Sequence, residues 1–355
     1  MSSVTPVRVG LIGYGYSGRT FHAPLITAVS GLTLCAVASS DPKKVHADLP
    51  EMTVVADPLA LATADGIDLI VIASPNASHA QLARTALNAG KHVVVDKPFT
   101  LDLVEARDLI ALSKSRGLTL SVFHNRRWDS DFLTVRHAIA HGLAGTVSHF
   151  ESHFDRFRPQ VRDRWREAPG PGSGIWFDLG PHLIDQTLQL FGLPDRVQAN
   201  LARQRKGSLA DDWAHVVLDY GERRAVLHAG MLVAGGTNRF IVHGEAGSLV
   251  KRGADPQERQ LLNGMRPGQA GWGADADGLL VYDRSGAQSI VPATNGDQRL
   301  YYASIVNALN GSVSDIVTPI QALAVMAVIE AAVDSAHRRC SVELPLTAEE
   351  RISWR

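Results

Sequence analysis

In the first third of the chain, short runs of β-branched and aliphatic residues alternate with segments whose apolar residues recur at helical spacing. Val7–Ile12, Leu32–Ala38, Ile67–Ala73, His92–Val95 and Leu118–Phe123 read as strands, with helices over Ser17–Val29, Asn76–Ala89 and Leu101–Arg116 between them. Gly90 and Gly117 follow the last two helices, where a C-terminal cap favours glycine. The strands are apolar along nearly their whole length, so they need cover on both faces. Strand-helix-strand repetition of that kind predicts a parallel sheet wound by right-handed crossovers.

The pattern changes after a helix at Ser130–His141. Thr146–Arg158, Arg196–Gln204, Trp213–Tyr220, Ala225–Val233, Asn238–His243 and Ser248–Lys251 follow as strands with few helices between them, which predicts an antiparallel sheet. A Pro-Gly-Pro-Gly-Ser-Gly run at 169–174 marks a loop ahead of a helix over Ile175–Phe191. Residues 255–278, rich in Gly, Pro, Gln and Asp, yield no assignment, whereas Leu300–Leu309 and Pro319–Arg338 read as late helices.

Composition narrows the class. A chain of 355 residues has room for about two domains of ordinary size. With 35 Lys and Arg against 36 Asp and Glu, no bulk field favours nucleic acid or an anionic membrane as partner. Apolar stretches such as Ile67–Ala73 and Ala322–Ile329 are too short to span a bilayer, so no membrane span is expected. Cys35 and Cys340 are the two cysteines, too few for a thiolate metal cluster, and no metal site is expected. Residues 1–6 carry no basic leader pattern, and a cytoplasmic location is expected.

The first strand-helix junction carries G-x-G-x-x-G as Gly13, Gly15 and Gly18, with Tyr14, Tyr16 and Ser17 between them. In that context Gly13 permits the turn, Gly15 lets a pyrophosphate approach the backbone and Gly18 allows the helix to pack closely on the strand. The junction predicts a Rossmann-type dinucleotide site. After the second strand, Ser39 stands where a carboxylate would hold the ribose of NAD. Asp41, followed by Pro42, reads as a helix N-cap. Ser39 and Ser40, with Lys43 or Lys44 behind them, suit a 2′-phosphate, so NADP is expected over NAD.

Four segments together resemble the glucose-fructose oxidoreductase and inositol dehydrogenase family (Gfo/Idh/MocA). They are the glycine loop, Ser74-Pro75-Asn76 with His79, the run 89–99 containing Asp96-Lys97-Pro98, and 174–182 with Asp185. The family usually has Glu where Asp96 stands. The resemblance implies that Ser74, Pro75, Asn76, His79 and Asp96 bind the cofactor. Lys97 is implied beside the nicotinamide and the reacting carbon, with a cis Lys97–Pro98 peptide. Asp178 and His182 are four apart, which puts both on one face of a helix. An imidazole suits removal of a hydroxyl proton at neutral pH, and an adjacent Asp orients it. The catalytic expectation is therefore Lys97, Asp178 and His182. Asn125 is implied at the substrate. Asp155, on the polar parity of its strand, and Trp165, before the Pro-Gly loop, are further substrate candidates.

The expected fold class is α/β: a Rossmann-type doubly wound parallel sheet over residues 1–124, then an α+β domain over 125–355 with a large, mostly antiparallel open-faced sheet. The expected activity is NAD(P)-dependent oxidation of a secondary hydroxyl of a sugar or cyclic polyol, such as an inositol. A dinucleotide-binding sensor and a redox-assisted glycosidase of the same superfamily are the competitors. Strand Ala225–Val233 is apolar on both parities, which predicts a homodimer or homotetramer.

Overall fold

The computed structural model describes residues 6–312 and 316–354. The leader reading at residues 1–5 lies outside them. The chain forms two compact units. The first takes residues up to 125 together with 257–272 and 297–323, and the second takes 126–256, 273–296 and 324 onward. A single boundary between 124 and 125 therefore misses two later segments that return to the first unit.

The first unit contains β1 (Val7–Ile12), α1 (Ala23–Thr27), β2 (Leu32–Ala38), α2 (Pro42–Asp48), β3 (Thr53–Val55), α3 (Pro58–Ala62), β4 (Leu69–Ile72), α4 (His79–Asn88), β5 (His92–Val95), α5 (Leu103–Arg116) and β6 (Leu120–Val122). All its strand pairs are parallel, in the order β3-β2-β1-β4-β5-β6. Val71 and Val94, at the centre of the sheet, are fully buried, as strands covered on both faces require. The order reverses between β1 and β4, and such a switch point is where this architecture binds ligands, beyond the carboxyl ends of the strands. The segments after β1 and β4 are the two motif loops, 13–18 and 73–76.

β3 and α3 are short elements that the hydrophobic pattern does not mark. β3 is a three-residue edge strand, none of it buried, too short to register as a hydrophobic run. The helix expected over Ser17–Val29 opens instead as a π turn, Gly18–His22, in which Ala23 N–H reaches back to Gly18 O. Pro24, lacking an N–H, then stands in the first turn of α1.

The second unit begins with α6 (Ser130–Ala140), β7 (Val147–Asp155), α7 (Gly174–Phe191) and strands β8 (Arg196–Ala202), β9 (Trp213–Tyr220), β10 (Arg223–Gly230), β11 (Phe240–Gly244) and β12 (Gly247–Lys251). After α8 (Gln257–Leu262), which the sequence left unassigned, come β13 (Leu279–Asp283), β14 (Gln288–Val291), α9 (Arg299–Leu309), α10 (Pro319–Arg338), β15 (Val342–Glu343) and α11 (Ala348–Trp354). The nine-stranded sheet runs β14-β13-β12-β11-β7-β10-β9-β8-β15. It is mixed, because β7 and β10 pair in parallel. The helix α7 returns the chain so that β8 restarts in the direction of β7, and two hairpin reversals restore that direction in β10. One sheet face packs under α7, where Phe150, Leu227 and Ala229 are fully buried. By length and composition α10 could cross a membrane, yet Ala322–Ile329 are buried within the protein.

Candidate active site

The loop after β1 is shaped by close backbone approach. Gly13 has φ +99°, and a Cβ there would lie 2.6 Å from Ala73 O, in the loop after β4. At Gly18 a Cβ would collide with Gly13 O. At Gly15 it would meet nothing within 4 Å. Two glycines thus close the turn and the third leaves open space over the backbone, which fits a pyrophosphate. A cleft of ≈ 650 Å³ borders Tyr14, Gly15 and Tyr16 on one side and Lys44 and Asp48 on the other.

At the end of β2, Ser39 Oγ accepts from Asp41 N–H at 3.1 Å. Asp41 Oδ1 accepts from Lys44 N–H at 3.1 Å and caps α2, whose Lys43 is exposed. Deeper in the cleft Asp48 is bidentate to Arg19, at 2.6 and 2.8 Å, and accepts from the Tyr14 hydroxyl at 3.2 Å. Arg19 holds the Asp48 carboxyl below its usual range, and burial with the nearby Asp48 charge pushes Tyr14 up to about 12. Tyr16, half-exposed, donates to Glu258 Oε1 at 2.7 Å.

The loop after β4 is braced internally. Ser74 Oγ lies 2.6 Å from Ser78 Oγ, which donates to Pro75 O at 2.8 Å, and Asn76 is buried at the start of a 3₁₀ turn. The buried His79 ring spans Pro98 O, 2.9 Å from Nδ1, and Ser74 O, 3.0 Å from Nε2. It straps the loop after β4 to the one after β5.

Lys97 follows β5, and the Lys97–Pro98 peptide is cis. Asp96 is buried beside it, and Asp96 Oδ1 accepts from Lys97 N–H at 2.8 Å. Burial alone would raise the Asp96 carboxyl, but His22, Lys97 and Ser17 outweigh it and hold the group well below its usual range. Asp96 is therefore a buried anion one residue from the candidate lysine. His22 Nε2 lies 3.8 Å from Asp96 Oδ2, and its Nδ1 lies 2.6 Å from the Tyr302 hydroxyl. His22 and Tyr302 went unnoticed in the sequence because their helices read only as amphipathic cover. The polar residues Tyr301 and Tyr302 on an otherwise apolar helix face were the available signal. Asn125 is buried and donates from Nδ2 to Gln298 Oε1 at 2.9 Å.

In the second unit Asp178 and His182 both belong to α7. Asp211 holds the start of this helix, accepting from Trp176 N–H at 2.9 Å, while Pro181 interrupts the hydrogen-bond ladder between the two candidates. His182 is buried, with the Phe154 ring of β7 edge-on at 6.3 Å. Asp178 is more open, and Arg166 Nε lies 3.4 Å from its Oδ1. One helix face thus carries a carboxylate and, one turn on, a buried imidazole. Asp185, also on α7, is bidentate to Arg127, with contacts of 2.6 to 3.2 Å, and serves as a buried structural ion pair.

Asp155 lies on the opposite sheet face. It accepts from Thr237 Oγ1 at 2.6 Å and stands 3.5 Å from both His153 Nδ1 and His228 Nε2. His153 continues the chain to Glu151 at 2.8 Å, and Glu151 to His149 at 2.8 Å. The sheet parity that separates Asp155 from Phe154 therefore also separates it from His182 and α7. Trp165 is partly exposed, with the Arg166 guanidinium 4.3 Å over its ring.

Two family models match the chain: "Oxidoreductase family, NAD-binding Rossmann fold" over residues 7–124 and "Oxidoreductase family, C-terminal alpha/beta domain" over 136–344. An uncharacterised oxidoreductase of Escherichia coli K12, YdgJ, is 53% identical over 339 residues, 95% of this chain and 98% of its own. The Bacillus subtilis scyllo-inositol 2-dehydrogenase (NADP(+)) IolW is 35% identical over 346 residues, 96% and 97% of the two chains. A crystal structure of a Klebsiella pneumoniae protein described as a candidate oxidoreductase superposes with a TM-score of 0.94 at 56% identity, covering 99% and 98%.

Proposed function

The chain belongs to the Gfo/Idh/MocA oxidoreductase family, and from that premise we propose that it moves a hydride between a nicotinamide dinucleotide and a secondary hydroxyl or ketone of a sugar or cyclic polyol. It is an NAD(P)-dependent oxidoreductase. The observation that carries the finer reading is Lys97 at the end of β5, next to the switch point, with its own N–H fixed by a buried, ionised Asp96. When bound, the nicotinamide supplies the hydride acceptor or donor. Gly13, Gly15, Gly18 and the residues between them hold the pyrophosphate, and Ser74, Pro75, Asn76 and His79 frame the adjoining loop. Lys97 hydrogen-bonds the reacting oxygen and stabilises negative charge developing there. His182 takes the hydroxyl proton in the oxidative direction and returns it in the reductive one, while Asp178 orients the ring and favours its protonated form. Asn125 and Trp165 are assigned to the substrate, and Asp155 to the polar face of β7.

NADP is the assigned dinucleotide. Asp41 is committed to the α2 N-terminus, and the exposed Ser40 and Lys43, with Ser39 held against Asp41 N–H beside them, are assigned to the 2′-phosphate. The NADP in the name of the relative IolW supports the same choice, and its polyol substrate supports the substrate class. We further assign a cytoplasmic location and a homodimer or homotetramer joined through the open sheet face, where Val226 and Ile241 remain partly exposed. A monomer in sedimentation at micromolar concentration would refute that assembly. The activity is tested by following nicotinamide absorbance with a panel of inositols, aldoses and ketoses and both dinucleotides. Turnover of a polyol or sugar with NADP preferred supports the reading. Dinucleotide binding without turnover of any of them refutes it.

A further inference from the structure

Between β7 and α7 the chain carries Arg156, Arg158, Arg162, Arg164 and Arg166. Two of these are matched by acids. Arg164 Nε lies 2.6 Å from Glu167 Oε1, and Arg166 faces Asp178. A sixth arginine, Arg205, is buried against Glu167 at 2.9 Å and Asp212 at 3.0 Å. It also donates to the carbonyls of Arg158 and Gln160, at 3.2 and 3.1 Å, which pins the loop in place. Arg156, Arg158 and Arg162 have no carboxylate within ion-pair distance and no side-chain hydrogen bond among the described residues.

The backbone decides where two of these three point. Arg156 and Arg158 N–H groups donate to Gly230 O and Met231 O, at 2.9 and 2.8 Å, and Phe157 bridges Leu232, so this segment extends β7. Alternation along an extended strand then puts Arg156 and Arg158 on the parity of Phe154. That is the parity whose Phe154 ring meets His182. Burial and the surrounding Arg156, Arg162 and Arg164 charges all depress the Arg158 guanidinium, with Asp178 the acid that acts the other way. Like charges held together disfavour one another, and among the described residues no carboxylate lies within ion-pair distance of Arg158. A bound anion would relieve them.

Resting on the dehydrogenase reading above, we propose that Arg158, flanked by Arg156 and Arg162, binds an oxyanion carried by the substrate, a carboxylate or a phosphate ester, next to Asp178 and His182. The substrate class is then an acidic sugar or polyol. A guanidinium fork matches either oxyanion with two parallel hydrogen bonds, which a neutral hydroxyl does not offer.

The test compares three sets of substrates under the same cofactor assay: neutral inositols and aldoses, aldonates and uronates, and sugar phosphates. One acidic set should exceed its neutral counterparts in kcat/KM by at least about tenfold, and which set does so identifies the oxyanion. Arg158→Gln should raise KM for that substrate by roughly 10- to 100-fold while kcat and the KM for dinucleotide stay near wild type. Because the Arg158 side chain makes no hydrogen bond among the described residues, this variant should fold normally by circular dichroism. Arg162→Gln should act in the same direction. Neutral substrates preferred, or Arg158→Gln weakening acidic and neutral substrates alike, would overturn the inference while leaving the dehydrogenase reading intact. A rise confined to the dinucleotide KM would overturn it by assigning these arginines to the cofactor. No turnover in any set would remove the dehydrogenase reading and this inference together.

Discussion

Gly15→Ala should leave the fold intact and abolish tight dinucleotide binding, whereas Gly13→Ala should damage the fold itself. The added methyl at position 15 meets nothing within 4 Å, and the backbone there does not need a positive φ. Its effect on stability should therefore stay within about 0.5 kcal/mol. If the pyrophosphate lies against this backbone, the same methyl displaces it and removes on the order of two charge-assisted hydrogen bonds. Even a partial loss of about 2–3 kcal/mol raises Kd by roughly 30- to 150-fold. At position 13 the methyl would sit 2.6 Å from Ala73 O on a backbone with φ +99°. Strain of this kind costs about 1–3 kcal/mol before the clash is counted, and each kcal/mol lowers Tm by roughly 2–4 °C in a domain of this size. Calorimetric titration with NADP⁺ and NAD⁺, beside thermal melts of both variants, separates the two effects. If Gly15→Ala bound dinucleotide within twofold of wild type, this loop would not be the pyrophosphate cradle.

Lys97→Ala and His182→Ala should each reduce kcat by about 10²- to 10⁴-fold with dinucleotide affinity unchanged, read by steady-state kinetics and titration of the same preparations. Asp41→Ala removes a helix cap and should cost about 0.5–2 kcal/mol in denaturant melts while preserving the ratio of NADP to NAD affinity. A shift of that ratio toward NADP would instead mean that Asp41 faces the ribose. His153 supplies a pH signature. Burial pushes its pKa down, but Asp155 and Glu151 outweigh that and raise it. The protonated ring therefore stabilises the fold fully below its unfolded pKa of about 6.5, and this contribution fades as pH rises through the raised folded value. Melts from about pH 6 to 9 should show this slope in wild type and not in His153→Gln, and parallel profiles would contradict the assignment.

The parallel sheet was legible because β1, β2, β4 and β5 are short, mostly buried apolar runs separated by helical patterns, and because the loop after β1 carries glycine at fixed offsets. β3 was not, since three half-exposed residues at a sheet edge leave no periodic trace. Hairpin β13–β14 follows the unassigned stretch 255–278, and the two-residue β15 lies near the C-terminus; short strands of this kind are defined by their neighbours more than by their own residues. The parallel pairing of β7 with β10 is a long-range register that no local pattern encodes. At the site, the glycine loop and the cap at Asp41 followed from local chemistry. The brace on Asp96 did not, because His22 and Tyr302 come from helices 280 residues apart in the chain and meet it only in three dimensions. Asp155 shows the reverse limit: its polar parity was legible, but the face it occupies turns away from α7.

The most direct test of hydride transfer uses NADPH deuterated at the transferable position of the nicotinamide, incubated with the protein and a mixture of ketoses, inososes and their acidic counterparts. Mass spectrometry of the products should find one deuterium on a newly formed carbinol carbon in the wild-type reaction, formed at least about a hundredfold more slowly with Lys97→Ala. Binding of the dinucleotide with no deuterated product, or a product labelled only from solvent, would contradict the account.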